Sequence, residues 1–345
     1  MEVNGRKIGI DQRPYVIAEL SANHGGSIER AKKSIYSAAR SGVDAIKIQT
    51  YTPDTMTIDS DKNDFQIRSG LWKGHTLYQL YWKAFTPFEW HKELFEYASE
   101  LGITLFSTPF DESALELLEE LKTPAYKIAS FELTDIPLIE NIARKNKPIF
   151  LSTGMGSLEE ISDAVETIKK YNNSGLLLFH CISSYPAPVE QSNLSNLLVL
   201  KKEFDVDVGL SDHTLSHIAA AVAIGMGASA IEKHFKLDLD DCGPDSSFSL
   251  TPESLVELVE YCNQSWLARG EGIFKRADVE KENIVFRRSL YFVKDKNPGE
   301  TITKSDVRRI RPGFGISPKY YSKLLGMRLT KKVERGDPVT WDMIE

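Results

Sequence analysis

The sequence predicts an α/β protein, a (β/α)8 TIM barrel followed by a small C-terminal domain. Two observations carry this expectation. Between Tyr15 and about Gly270, short β-rich runs alternate with longer helical patterns, the signature of repeated β-α units and a parallel sheet. The candidate strands number eight, the count that closes a barrel. The length of 345 residues agrees, since it holds a barrel of roughly 250 residues and one further module.

The candidate strands are Tyr15–Leu20, Ala45–Thr50, Thr104–Thr108, Ala125–Ala129, Pro148–Thr153, Leu176–Ile182, Val206–Leu210 and Ala228–His234. Between them, apolar residues recur at helical spacing, as in Ile35, Ala38 and Ala39, or Leu94, Ala98 and Leu101, with charges on the opposite face. These helices form the expected outer ring. Ser157 with Glu160 three residues on, and Thr251-Pro252 with Ser254 close behind, mark helix starts by capping chemistry and first-turn proline. One connection is long: roughly 35 residues, Tyr51 to Phe85, follow the second strand. Leaving the carboxyl end of a barrel strand and rich in aromatics, this loop is expected to cover the substrate. After Gly270 the pattern changes, placing the barrel at 1–270, a linker at 271–287 and a small mixed domain at 288–345.

Composition narrows the function. Apolar residues at 41% and charged residues at 26% suit a folded globular chain. A net charge of -7 argues against nucleic acid, because binding a phosphate backbone needs a basic face. Cys181, Cys242 and Cys262 are odd in number and lack a C-x-x-C pair, so neither a disulfide framework nor a thiolate zinc site is expected. A reduced, cytoplasmic setting fits. MEVNGRKIGIDQRP lacks the apolar core of a signal peptide, and the longest apolar stretch, Ile218 to Met226, is too short to span a membrane.

The strands end in polar residues, which a buried barrel strand tolerates only where it opens into an active-site mouth. The ends read Glu19, Lys47 with Gln49, Thr108, Lys127 with Ser130, Ser152 with Thr153, His180 with Ser183, Ser211 with His213, and Glu232 with His234. All are expected to converge. Residues two apart share a strand face, so His213 and His234, on neighbouring strands, can approach and hold a divalent metal through neutral imidazoles. His75, His91 and His217 lack that placement and read as loop or helix-surface residues. Lys47 and Lys127 are open to two readings. They form internal ion pairs with Glu19 or Glu232, or, with Ser130, Ser152 and Ser211, an anion site. The hydroxyls favour the anion site, and Glu19 and Glu232 are the carboxylates expected inside the mouth.

At these residues the chain resembles the sialic acid synthase family. IAELSANHGG, DAIKIQTY, STPFD, YKIASFE, PIFLSTGM, SSYPAP, GLSDHT, IEKHF and GPDSSFSL match its motifs in order, and the tail IRPGFG resembles its C-terminal antifreeze-like (SAF, β-clip) domain. GLWKGHTLYQLY and GPDSSFSL most resemble the pseudaminic acid synthase branch.

The resemblance implies condensation of phosphoenolpyruvate with the open-chain aldehyde of an acetamido sugar, giving a nine-carbon 2-keto acid and phosphate. For that branch the sugar is 2,4-diacetamido-2,4,6-trideoxy-L-altrose. It further implies His213 and His234 as ligands of a divalent metal, Mn2+ foremost, with Mg2+ or Co2+ as alternatives. Phosphoenolpyruvate contacts fall on Lys47, Thr108, Lys127, Ser130, Ser152, Ser183 and Ser211. Ser183 stands where the family has Asn, a shorter donor. Glu19, Glu232 and Tyr185 take catalytic positions, and Gln49, Tyr185, Asp245 and Arg311 take sugar positions. Arg311 resembles an arginine that reaches a partner subunit's site, which implies a domain-swapped homodimer.

Three alternatives stand beside this one. The first is a sialic or legionaminic acid synthase using an N-acetylmannosamine-type sugar. The second is a related synthase for a phosphorylated sugar, which would need more mouth arginines than Arg68. The third, a non-catalytic sugar-binding barrel, has no use for so many buried charges.

Overall fold

Eight parallel strands close on themselves in the first part of the chain. They are β1 (Tyr15–Glu19), β2 (Ala45–Thr50), β3 (Thr104–Pro109), β4 (Tyr126–Ile128), β5 (Ile149–Ser152), β6 (Leu176–Cys181), β7 (Asp207–Asp212) and β8 (Ala230–His234). Each pairs with the next, and β8 pairs with both β7 and β1. Register sets Glu19 opposite both Lys47 and His234, and Glu232 opposite Ser211. The computed structural model describes residues 1–238 and 243–345, so Cys242 lies outside the described residues. Two compact units result, Met1–Gly270 and Glu271–Glu345.

Strand alternation divides the barrel residues between two cores. Val16, Ala18, Ile46, Ile48, Leu151 and Leu178 face the helices. Tyr15, Ile17, Phe106, Phe150 and Phe179 fill the interior. Phe150 stacks on Phe106 at 5.3 Å and on Phe179 at 5.7 Å, plugging the barrel below its polar end. Truncating such a ring costs about 3–5 kcal/mol, so this plug is a firm floor for the site above it.

The helices begin where their caps dictate. Ser157 and Glu160 form a reciprocal capping box on helix Leu158–Tyr171, and Thr251 accepts from Ser254 N at the start of Pro252–Arg269. Helix Phe88–Glu100 corrects one expectation. His91 is fully buried, with Nε2 2.8 Å from Thr50 Oγ1 and Nδ1 3.0 Å from Pro87 O. It lies three residues before Leu94 and so shares the inward helix face. Among the described residues, no helix is long and apolar enough to cross a membrane.

The second unit has its own core of Leu290, Phe292, Ile302, Val307, Leu329, Val333 and Val339. Its paired strands, β9 (Ser289–Phe292) and β10 (Val307–Ile310), run antiparallel. Gly315 passes so close to Leu290 O that no Cβ would fit, which accounts for glycine at that point of the RPGFG tail.

Candidate active site

Four ionisable side chains meet inside the barrel, above the aromatic plug. Lys47 Nζ lies 2.7 Å from Glu19 Oε2 and 3.6 Å from Glu232 Oε1, while Lys127 Nζ lies 3.5 Å from the same Glu232 oxygen. Strand alternation explains the gathering, because each is an inward-facing residue near the carboxyl end of its strand. Hydroxyls complete the cluster: Lys127 Nζ donates to Ser152 Oγ at 2.7 Å, Lys47 Nζ to Thr108 Oγ1 at 3.3 Å, and Ser211 Oγ to Glu232 Oε1 at 3.1 Å. The ion-pair reading of the two lysines is therefore what the structure contains.

The two carboxylates differ electrostatically. Burial drives Glu19 upward, and Lys47 only partly offsets it, so its carboxyl is held above the usual range. Burial acts on Glu232 in the same sense, but Lys127 and Lys47 together outweigh it, so Glu232 stays ionised and low. Burial lowers Lys127; Lys47 is raised despite burial, because Glu19 and Glu232 both favour its charge. Such opposed pairs separate proton carriers from fixed charges.

Beside the quartet stand two imidazoles. The rings of His213 and His234 are 5.4 Å apart between centroids, and Tyr185 packs on His213 at 4.5 Å. His213 Nδ1 meets Ile182 O at 2.9 Å, which leaves Nε2 with a free lone pair. His234 Nδ1 is buried without a hydrogen-bond partner, 3.9 Å from Asp245 Oδ2. Burial lowers both histidines, which keeps them neutral. Neutral rings with open nitrogens fit a divalent ion. Among the described residues no three His, Cys, Asp or Glu side chains form a complete cage, so substrate oxygens or water would supply the other ligands.

Toward solvent the mouth widens into a cavity of about 370 Å³. Its polar base is Gln49, Ser21, Asp245 and His234: Gln49 Nε2 donates to Glu19 Oε1 at 3.2 Å and to Ser21 Oγ at 3.0 Å, and Ser21 Oγ donates to Asp245 Oδ2 at 2.5 Å. Its wall is apolar, built from Met56, Ile67, Trp72, Leu77, Leu80 and Tyr81 of the long second loop. Trp72 Nε1 donates to Pro244 O at 3.0 Å, tying that loop to the one after β8. A wider hollow of about 570 Å³ opens at the amino end of β3 beside Asn4 and Thr104, but no buried ionisable group lines it.

Of the strand-end residues, Glu19, Lys47, Gln49, Thr108, Lys127, Ser152, Ser211, His213, Glu232 and His234 do converge. Ser130 and Ser183 sit together beside Gly154, where a Cβ would come within 2.8 Å of Ser130 Oγ and 2.5 Å of Ser183 Oγ. Gly154 N donates to Ser130 Oγ at 3.2 Å. His180 does not join them. It is the outward residue between Phe179 and Cys181, and its Nε2 meets Ser192 O at 2.7 Å. Arg311 lies in the second unit, exposed after β10.

Comparison with known proteins gives this geometry a setting. Residues 34–274 match the NeuB family model, and residues 287–345 match that of the SAF domain. The chain is 45% identical to a pseudaminic acid synthase of Campylobacter jejuni, covering 95% of each. It is 43% identical to one of Helicobacter pylori, covering 97% of this chain and 98% of that one. The chain belongs to the NeuB family. The solved N-acetylneuraminic acid synthetase of Leptospira borgpetersenii superposes on this NeuB-family chain with a TM-score of 0.74 at 30% identity, covering 82% of this chain and 94% of that one.

Asp245, expected at the sugar position of this NeuB-family site, lines the cavity, raised by burial. One carboxylate was not expected there: Glu132, on a 3-10 turn from Ser130 to Glu132, also lines the cavity; burial pushes its carboxyl up to about 7, and its Oε2 has no hydrogen-bond partner. Its spacing of two from Ser130, within YKIASFE, was the available signal.

Proposed function

We propose that this chain is a pseudaminic acid synthase. It condenses phosphoenolpyruvate and water with 2,4-diacetamido-2,4,6-trideoxy-L-altrose, giving a nine-carbon 2-keto acid and phosphate. The similarity to named pseudaminic acid synthases over nearly the whole of both chains carries the reading. The apolar cavity wall supports the deoxy sugar, because a wall of Ile67, Trp72 and Leu80 suits methyl groups and offers little to a hydroxyl.

Lys47 and Lys127 hold the carboxylate and phosphate of phosphoenolpyruvate, aided by Thr108, Ser130, Ser152, Ser183 and Ser211. The ion pairs they make in the free chain keep them charged until that anion arrives. Glu232 remains ionised as their counter-charge. The carbon–carbon bond forms between the phosphoenolpyruvate methylene and the sugar's aldehyde carbon, water adds to the enol-ester carbon, and phosphate leaves. Glu19 and Glu132, raised by burial, are the groups that exchange protons near neutrality with that water and with the aldehyde oxygen. Asp245, Gln49 and Tyr185 orient the sugar. His213 and His234 hold a divalent ion, Mn2+ foremost, which when bound polarises the aldehyde as a Lewis acid.

The working unit is a cytoplasmic homodimer in which Arg311 serves the sugar site of the partner copy. The test is phosphate release from phosphoenolpyruvate with and without sugar, Mn2+ and chelator. Release that needs both sugar and metal supports the reading. Release that ignores chelator removes the metal, and no release with any acetamido sugar removes the synthase.

A further inference from the structure

On the helix-facing side of the barrel the last two strands present apolar residues, Val208, Leu210 and Ile231 among them. Two charges interrupt this layer. Lys233 is 0% exposed and Asp212 3%. They are opposite in register, with Nζ 2.6 Å from Oδ2. The ammonium's other two donors go to backbone, to Thr214 O at 2.7 Å and Ser216 O at 2.9 Å. Asp212 Oδ1 accepts from Thr214 N at 2.9 Å. All three ammonium donors are thus used.

The clamp grips the chain on both sides of His213. Asp212 and Thr214 are its neighbours in sequence, and Lys233 stands between Glu232 and His234, which alternation turns inward. On the inner side His213 is held by Ile182 O at Nδ1 and by Ala187 N at its carbonyl, each at 2.9 Å. Stability alone does not call for a buried ion pair, since an apolar pair of similar volume is often as stable or more so. An apolar pair would leave the carbonyls of an irregular turn without donors and the turn without a direction.

We propose that Lys233 and Asp212 are a positioning pair that sets the turn from 212 to 216 and so fixes the orientation of His213 toward His234. The proposal rests on the cation-site reading for one of its two readouts only.

The test removes both charges together, Lys233→Met with Asp212→Leu, so that neither is left buried and alone. Asp212→Asn, which keeps the acceptor for Thr214 N but leaves Lys233 without its counter-charge, is a companion variant whose own melt is recorded beside it. The first readout needs no metal: nitrogen-15 histidine spectra of the metal-free chain. In the parent, His213 holds one tautomer, protonated at Nδ1. In the double variant that signal is expected to average between tautomers while Tm stays within a few degrees, with Asp212→Asn between the two. The second is calorimetric Mn2+ binding, expected to weaken about ten- to a hundredfold, with phosphoenolpyruvate affinity unchanged. An unaltered His213 tautomer in both variants overturns the proposal. A parent chain that binds no Mn2+ removes the cation site instead, and the spectra alone then decide the clamp.

Discussion

Lys127 and Glu232 face each other inside the barrel at 3.5 Å, with neither side chain more than 4% exposed. Lys47 shares the same carboxylate oxygen at 3.6 Å, so one buried anion balances two cations with help from Glu19. Removing one member of such a set leaves an uncompensated buried charge, which costs about 3–5 kcal/mol.

Glu232→Gln therefore lowers Tm and leaves two lysines short of an anion. Free phosphate is expected to restore Tm by more in the variant than in the parent, because it replaces the missing charge. Turnover falls by about 10²-fold or more while the KM for phosphoenolpyruvate does not rise. A phosphate response no larger than the parent's would show that the lysines are not an anion site.

Glu132 gives a pH signature. Its carboxyl, up at about 7 through burial, must be ionised to accept a proton, so kcat/KM declines as pH falls below about 7. Glu132→Gln removes that limb as well as most of the rate. A variant whose profile keeps an unchanged acid limb would assign it to another group, Glu19 first.

His91 gives a stability signature of opposite origin. Burial holds its folded value down at about 4, against an unfolded value of about 6.5. Between those values the unfolded chain binds a proton that the folded chain refuses. Stability is intact above about 6.5 and declines as pH falls toward 4, by about 3 kcal/mol in full. Thermal melts of His91→Gln are expected to depend less steeply on pH across this window; parallel slopes would contradict the assignment.

Trp72→Phe keeps most of the ring and removes the donor to Pro244 O. A bond of this kind contributes about 1 kcal/mol, so the KM for sugar is expected to rise roughly fivefold, with that for phosphoenolpyruvate unchanged. An equal rise in both would make Trp72 a general support of the mouth.

Much of this was readable in advance, for physical reasons. The period of two places Glu19, Lys47, Lys127 and Glu232 on the inward face of their strands, and the residues themselves announce it. The same period misleads where it is not applied residue by residue: His180 sits between two inward residues and so points out, and Lys233 hides between Glu232 and His234. Trp72 and Pro244 are 172 residues apart and belong to loops, where no periodicity reports direction. Glu132 lies on a 3-10 turn for the same reason. His91 lacks a strand-end position and so reads as a surface residue, although its spacing of three to Leu94 puts it on the buried helix face.

A competition measures the identity of the sugar most directly. Equal amounts of 2,4-diacetamido-2,4,6-trideoxy-L-altrose and N-acetylmannosamine are offered with phosphoenolpyruvate and Mn2+, and the nine-carbon acids are weighed by mass spectrometry. The diacetamido product is expected in large excess. N-acetylneuraminic acid as the main product would contradict it.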